Sequence, residues 1–267
     1  MQLSIEHRTH YSYSSPADYT IQHLRLTPQS GFGQRVKRWE ILVNGRISPH
    51  ADAHGNVEHT LVVDTPHDGI TITAVGEVET DIDLPPPADT LPLAIYLRET
   101  RLTAADAALA NFARGFCNVR GQLDEAGLTE LMHGIRDKVR YRKGLTDVAT
   151  TAAQAFAARH GVCQDHAHIF IACCRNMGIP ARYVSGYLFT PHGELMESHA
   201  WADAWLEDAG WQSYDVSNGQ RANGIHVRLA TGLDYRDACP VNGIRRGGGE
   251  ESMSVSVQVH QSAQSQQ

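Results

Sequence analysis

Apolar and polar residues alternate over the first 80 positions. Leu3, Ile5, His7, Thr9 and Tyr11 fall on one face of an extended chain; Ile21 to Leu26 repeats the pattern, as do Trp39, Ile41 and Val43. A period of two marks strands with one buried face. Asn44-Gly45 and His54-Gly55-Asn56 are turn signals, followed by the short runs Thr60-Leu61-Val62-Val63 and Ile70-Thr71-Ile72-Thr73-Ala74-Val75. Residues 1–82 therefore read as an antiparallel β-sandwich.

The period changes after Leu84-Pro85-Pro86-Pro87, which breaks regular structure and marks residues 83–102 as a linker. Thr103-Ala104-Ala105-Asp106 is placed to cap a helix carrying Leu109, Phe112 and Phe116. Leu128, Leu131, Met132, Ile135 and Val139 follow at helical spacing. Thr151-Ala152-Ala153-Gln154 has capping-box form, and Gly161 should close that helix. Cys163 then heads a helix with Ala167, Phe170, Ile171, Cys174 and Met177 on one face, stopped by Gly178 and Pro180. Strands are predicted at 181–189, 199–206 and 211–215, with a late one through Met253, Val255, Val257 and Val259. Helices followed by strands indicate an α+β domain over residues 103–260, and the Gln-rich residues 261–267 an expected disordered tail.

The formal net charge of −7 argues against sequence-independent nucleic-acid binding, which needs a basic surface. No stretch approaches the roughly 18 apolar residues that span a bilayer, and the N-terminus lacks the basic start and apolar core of a signal peptide. The cytoplasm is the default expectation, with no membrane partner. The five cysteines are odd in number and scattered, unlike a disulfide framework.

Candidate chemistry lies at three positions. Cys163 opens a helix, His199 opens a strand, and Asp215 closes the next one. Helix N-termini carry unpaired N–H groups and about half a positive charge, and a neighbouring imidazolium adds more, which together favour a thiolate. His199 would serve as base toward the thiol and as acid toward a leaving amine, and Asp215 would hold its tautomer. An antiparallel pairing through the turn Asp208-Ala209-Gly210 would bring His199 and Asp215 side by side. The Cys163 backbone N–H is a natural oxyanion donor, with Gln164 and Tyr141 as candidates for a second. Gly161 would let the chain turn sharply before the sulfur.

The blocks Gly161-Val162-Cys163-Gln164-Asp165, Gly178-Ile179-Pro180-Ala181-Arg182-Tyr183-Val184-Ser185-Gly186-Tyr187, Ser198-His199-Ala200-Trp201 and Gly210-Trp211 through Asp215 resemble the bacterial transglutaminase-like superfamily. The first 80 residues, with Asp52-Ala53-His54-Gly55-Asn56, resemble the β-rich region that precedes this domain in bacterial members, and Leu229 to Gly243 resembles the stretch after the triad. The resemblance implies a papain-like Cys-His-Asp site that handles amide bonds of a peptide or protein through a thioester, without metal or organic cofactor. By position, Cys163 is nucleophile, His199 base and Asp215 orienter. The chain departs from the family at Val216, where a proline is common, and at His166, where an aromatic is common.

Other readings stand beside this one. Cys163, His166 and His168 could bind zinc, but a fourth ligand at sensible spacing is missing. His166, Trp201 and Tyr183 are candidate substrate contacts, Arg182 could also touch substrate, and strand aromatics more often pack a sheet. The chain could also be a binding or scaffold protein that keeps the fold without turnover. An exposed edge of the first unit could pair with a second copy of the chain.

Overall fold

The computed structural model describes residues 1–191 and 198–261. Five strands come first: β1 (Gln2–Thr27), β2 (Gln34–Val43), β3 (Arg46–Ala51), β4 (Val57–Val63) and β5 (His67–Thr80). They pair antiparallel in the order β2-β5-β1-β4-β3. The 26-residue β1 organises the sheet. Its first half pairs with β5 and its second with β4, the change falling at Ser14-Ser15-Pro16, where proline has no N–H to give a ladder. Only Asn44 and Gly45 separate β2 from β3, the two ends of the order, so the sheet must curl until its ends approach. The sandwich expected from sequence is thus one continuous sheet, coiled nearly into a barrel.

The helical unit follows. It comprises α1 (Ala107–Arg114), α2 (Glu125–Lys138), β6 (Arg140–Tyr141), α3 (Ala152–Ala158), β7 (His160–Gly161) and α4 (Cys163–Asn176). Asp106 caps α1 through the Leu109 N–H, and Thr151 and Gln154 form the reciprocal box on α3. Every residue of α4 from Asp165 to Arg175 is buried, so it is the central helix of the core rather than a surface one.

A second antiparallel sheet is built from β8 (Ala181–Leu188), β9 (His199–Leu206), β10 (Gly210–Asp215), β11 (Gln220–Arg221) and β12 (His226–Gly232), in the order β11-β10-β9-β8-β12. Ala181, Ala200, Ala202, Ala204 and Tyr214 share a core with α4, and the small alanines let helix and sheet approach closely. Tyr187, Val227 and Leu229 belong instead to the core of the first sheet, so the second sheet is packed against both units.

After the short α5 (Tyr235–Ala238), the strands β13 (Val241–Gly247) and β14 (Glu251–Gln261) pair with the free side of β1. The boundary expected at residues 103–260 is corrected here: residues 241–261 complete the first sheet. An alternating strand shows which face it buries but not which neighbour it pairs with. Residues 262–267 of the expected tail lie outside the described residues. The expected linker is also a packed segment. Tyr96 is buried, and Asp89 accepts hydrogen bonds from Arg182 Nη1 at 3.0 Å and Trp211 Nε1 at 2.8 Å. Among the described residues no helix is long and apolar enough to cross a membrane.

Candidate active site

Three elements bring Cys163, His199 and Asp215 together. Cys163 is the first residue of α4 and is partly exposed, while the other thiols on that helix, Cys173 and Cys174, are sealed in the core. Its backbone N–H lies in the first turn, where helix amides have no intrahelical partner. The start of the helix is fixed by Asp165, whose carboxylate accepts the Val162 N–H at 2.8 Å and the Thr146 hydroxyl at 2.7 Å. Burial raises the Asp165 pKa against those bonds. Gly161 is needed for close approach and not for a special backbone angle, since an added Cβ would meet the Asp165 side chain at 2.6 Å.

His199 Nε2 lies 2.9 Å from Asp215 Oδ2. The pairing is diagonal: Tyr214 faces Ala202 in the β9–β10 ladder, which sets Asp215 opposite Trp201, and His199 lies two residues before Trp201 on the same strand. With Nε2 committed to the carboxylate, Nδ1 is the ring nitrogen left for the sulfur. Burial alone lowers the His199 pKa. Hydrogen bonds with Asp215 and with Cys163, and the negative charge of both, override it and push the value up to about 10. The imidazolium form is therefore strongly favoured beside the sulfur.

Asp215 is wholly buried. Burial raises a carboxyl pKa, but the bonds from His199, His226 and Asn218 hold this one well below the usual carboxylate range. His226 was not identified from sequence. Its Nε2 lies 2.9 Å from the same Oδ2, and its Nδ1 accepts the Asn223 N–H at 3.1 Å. Asn218 Nδ2 donates to Oδ2 at 2.6 Å. The turn after Asp215 is therefore tied down without a proline, and Val216 is buried in the core. A signal for His226 did exist: like His199, it is a histidine opening a buried strand.

His199, Asp215 and His226 group like the ligands of a metal ion. The proton arrangement favours hydrogen bonds instead. Because His226 Nδ1 accepts an N–H, its Nε2 must carry the proton and has no lone pair for a cation.

The other sequence candidates fall elsewhere. His166, Trp201 and Tyr183 were candidate substrate contacts, and all three are buried, at 0%, 1% and 2% exposure. His166 bonds Val139 O at 2.8 Å and Ser217 Oγ at 2.9 Å, and burial lowers its pKa. Trp201 packs on His199 and His226, and Tyr183 packs on His168 and Tyr235. They form the walls behind the site. His168 Nε2 accepts the Tyr235 N–H at 3.1 Å, so His166 and His168 turn to separate partners and the zinc reading loses its ligands. Arg182 is held between Asp203 and Asp89 and stacks on Trp211. Tyr141 is half exposed, its backbone paired with Gly161 and its ring edge-on to His166. Gln164 Nε2 reaches Val148 O at 3.5 Å. A cavity of about 590 Å³ lies between the two sheets, walled by Phe32, Trp201, His226 and Arg228; neither Cys163 nor His199 lines it.

Comparison with known proteins identifies the family and the fold. Residues 113–216 match the transglutaminase-like superfamily, and residues 3–79 match the bacterial transglutaminase-like N-terminal region. An uncharacterized protein of Mycobacterium leprae is 31% identical over 278 residues, covering 97% of this chain and 98% of the relative. A protein-glutamine gamma-glutamyltransferase of Pseudomonas aeruginosa is 30% identical over 105 residues, which are 35% of this chain and 16% of its own. Among solved structures, a protein of Cytophaga hutchinsonii described as a candidate cysteine protease superposes with a TM-score of 0.78. It is 23% identical, and the match covers 97% of this chain and 90% of that one.

Proposed function

Because this chain belongs to the transglutaminase-like superfamily, we propose that it is a cysteine-dependent enzyme acting on amide bonds of peptides or proteins. The observation that carries this reading is the Cys163–His199–Asp215 arrangement, with an imidazole favoured as its cation between a sulfur and a buried carboxylate. The Cys163 thiolate attacks the carbonyl carbon, and the Cys163 N–H faces the oxygen that becomes negative. As the tetrahedral adduct collapses, the C–N bond breaks and His199 gives its Nδ1 proton to the leaving amine. A thioester remains on Cys163. An acceptor bearing a proton, either water or a primary amine, then adds to the thioester carbonyl. His199 takes that proton, the C–S bond breaks, and the cycle restores thiolate and imidazolium. Asp215 holds Nε2 throughout and keeps its charge.

Neutral-pH treatment with iodoacetamide, read by peptide mass spectrometry, should label Cys163 far faster than the other four cysteines. Burial pushes the Cys173 thiol up to about 12 and the Cys174 thiol higher still, so both should stay inert. Incubation with an amide-containing peptide library should leave an acyl increment on Cys163, lost in Cys163→Ala, and the released product identifies the acceptor. Slow, equal labelling of all five thiols would rule the nucleophile out.

A further inference from the structure

Strand β12 ends the order of the second sheet, and one of its edges has no strand partner there. Such an edge exposes a row of N–H and C=O groups. Here two side-chain amides from the first unit cover it. The Arg228 N–H donates to Gln34 Oε1 at 2.8 Å, and Gln34 Nε2 donates to Arg228 O at 3.0 Å. The Thr231 N–H donates to Asn56 Oδ1 at 2.8 Å, and Asn56 Nδ2 donates to Thr231 O at 2.8 Å. Each amide thus copies the paired bonds of a neighbouring strand. Both are almost fully buried, where an unmade hydrogen bond is expensive. Just upstream, the Thr80 hydroxyl donates to Gly224 O, gripping the turn that leads into His226.

His226 is the first residue of the strand so held, and its Nε2–H ends on Asp215. The ties run without a gap from the first sheet, through β12, to the carboxylate that orients His199. Asp215 Oδ2 has an imidazole on each side; the His226 bond keeps the carboxylate from swinging away from His199. We propose that His226 is a positioning residue of the triad, and that the N-terminal sheet sets its place through the side-chain amides of Gln34 and Asn56. The first unit then acts on the reaction without touching substrate.

This inference rests on Cys163 being the nucleophile. Its test is the pH dependence of Cys163 alkylation by iodoacetamide, which needs no substrate, in the full chain. Wild type supplies the reference profile, with a free thiol's half-maximal pH, about 8.5, as the unactivated limit. In His226→Ala the imidazolium at His199 loses support, and the half-maximal pH should rise by about one unit. His226→Gln places an amide N–H near the lost Nε2–H and should restore most of it. Gln34→Ala and Asn56→Ala should shift the profile in the same direction by less. They also cover the case in which His226→Ala fails to fold. A purely structural role would lower the melting temperature and leave the half-maximal pH alone. Unchanged half-maximal pH values in the folded variants overturn the proposal. A wild-type chain with the profile of a free thiol overturns the nucleophile as well, so the two failures are distinct.

Discussion

Asp165 folds its carboxylate back over Gly161, so that a Cβ added to the glycine would stand 2.6 Å from the Asp165 Cβ. The contact fixes the first turn of the helix that carries Cys163. Gly161→Ala should therefore push Asp165 off the Val162 N–H. We expect a loss of about 1–3 kcal/mol, the usual range for overpacking, and slower alkylation of Cys163. Thermal unfolding together with labelling rates checks both; an unchanged melting temperature would show that the turn has room to spare.

Asp215→Asn removes the charge that supports His199. The His199 pKa, about 10 in the native site, should fall toward the ordinary 6.5. Turnover should drop by roughly 10⁴, the scale set by neutralising the carboxylate of a catalytic triad. NMR titration of the His199 ring reads the first effect and amide-cleavage kinetics the second. A ring that still titrates near 10 would mean that the sulfur alone holds the proton.

Asp203 is the anchor of the second sheet. It is wholly buried and accepts bonds from Arg182 Nε at 2.9 Å, from both terminal nitrogens of Arg228 and from the Ser213 hydroxyl. Burial raises its pKa, but the two guanidinium charges pull it down to about 2. Asp203→Ala should cost about 3–5 kcal/mol, because two guanidinium groups would remain buried with too little counter-charge. Urea denaturation measures it; a loss below about 1 kcal/mol would place the group in the class of weak surface pairs.

Stability should fall as the solution is acidified from neutrality. Burial lowers the His7 pKa to about 4 and that of His168 to about 3. Between those values and 6.5 the unfolded chain takes up protons that the folded chain refuses. The contribution is present above about 6.5, declines as pH falls, and is gone below the folded values. Each ring should cost on the order of 1 kcal/mol per pH unit in that window. His7→Gln and His168→Gln, compared with wild type by denaturant unfolding at several pH values, should each flatten the slope.

Strand and helix positions were legible because burial imposes a period on the residues themselves: Leu3 to Tyr11 on β1 and Leu128 to Ile135 on α2 both show it. The place of His166 was not legible because α4 is buried all round, and a helix without a solvent face has no period to reveal which side chains reach a cleft. The sequence left Trp201 and Tyr183 open between packing and substrate contact for a related reason. They lie on a sheet covered on both sides, where residues facing either way are buried.

By itself the sequence determined a strand-rich start, the helices and longer strands from α1 to β10, and the placing of Cys163, His199 and Asp215 at element ends. Those properties depend on near neighbours in the chain. The tertiary structure decided that β13 and β14 return to the first sheet, that His226 joins Asp215, and that Gln34 and Asn56 cover β12. These pairings join residues far apart in sequence, 194 positions in the case of Gln34 and Arg228. Burial tells a chain which side chains must leave water; it leaves to the whole packed fold the choice of partner each buried polar group finds there.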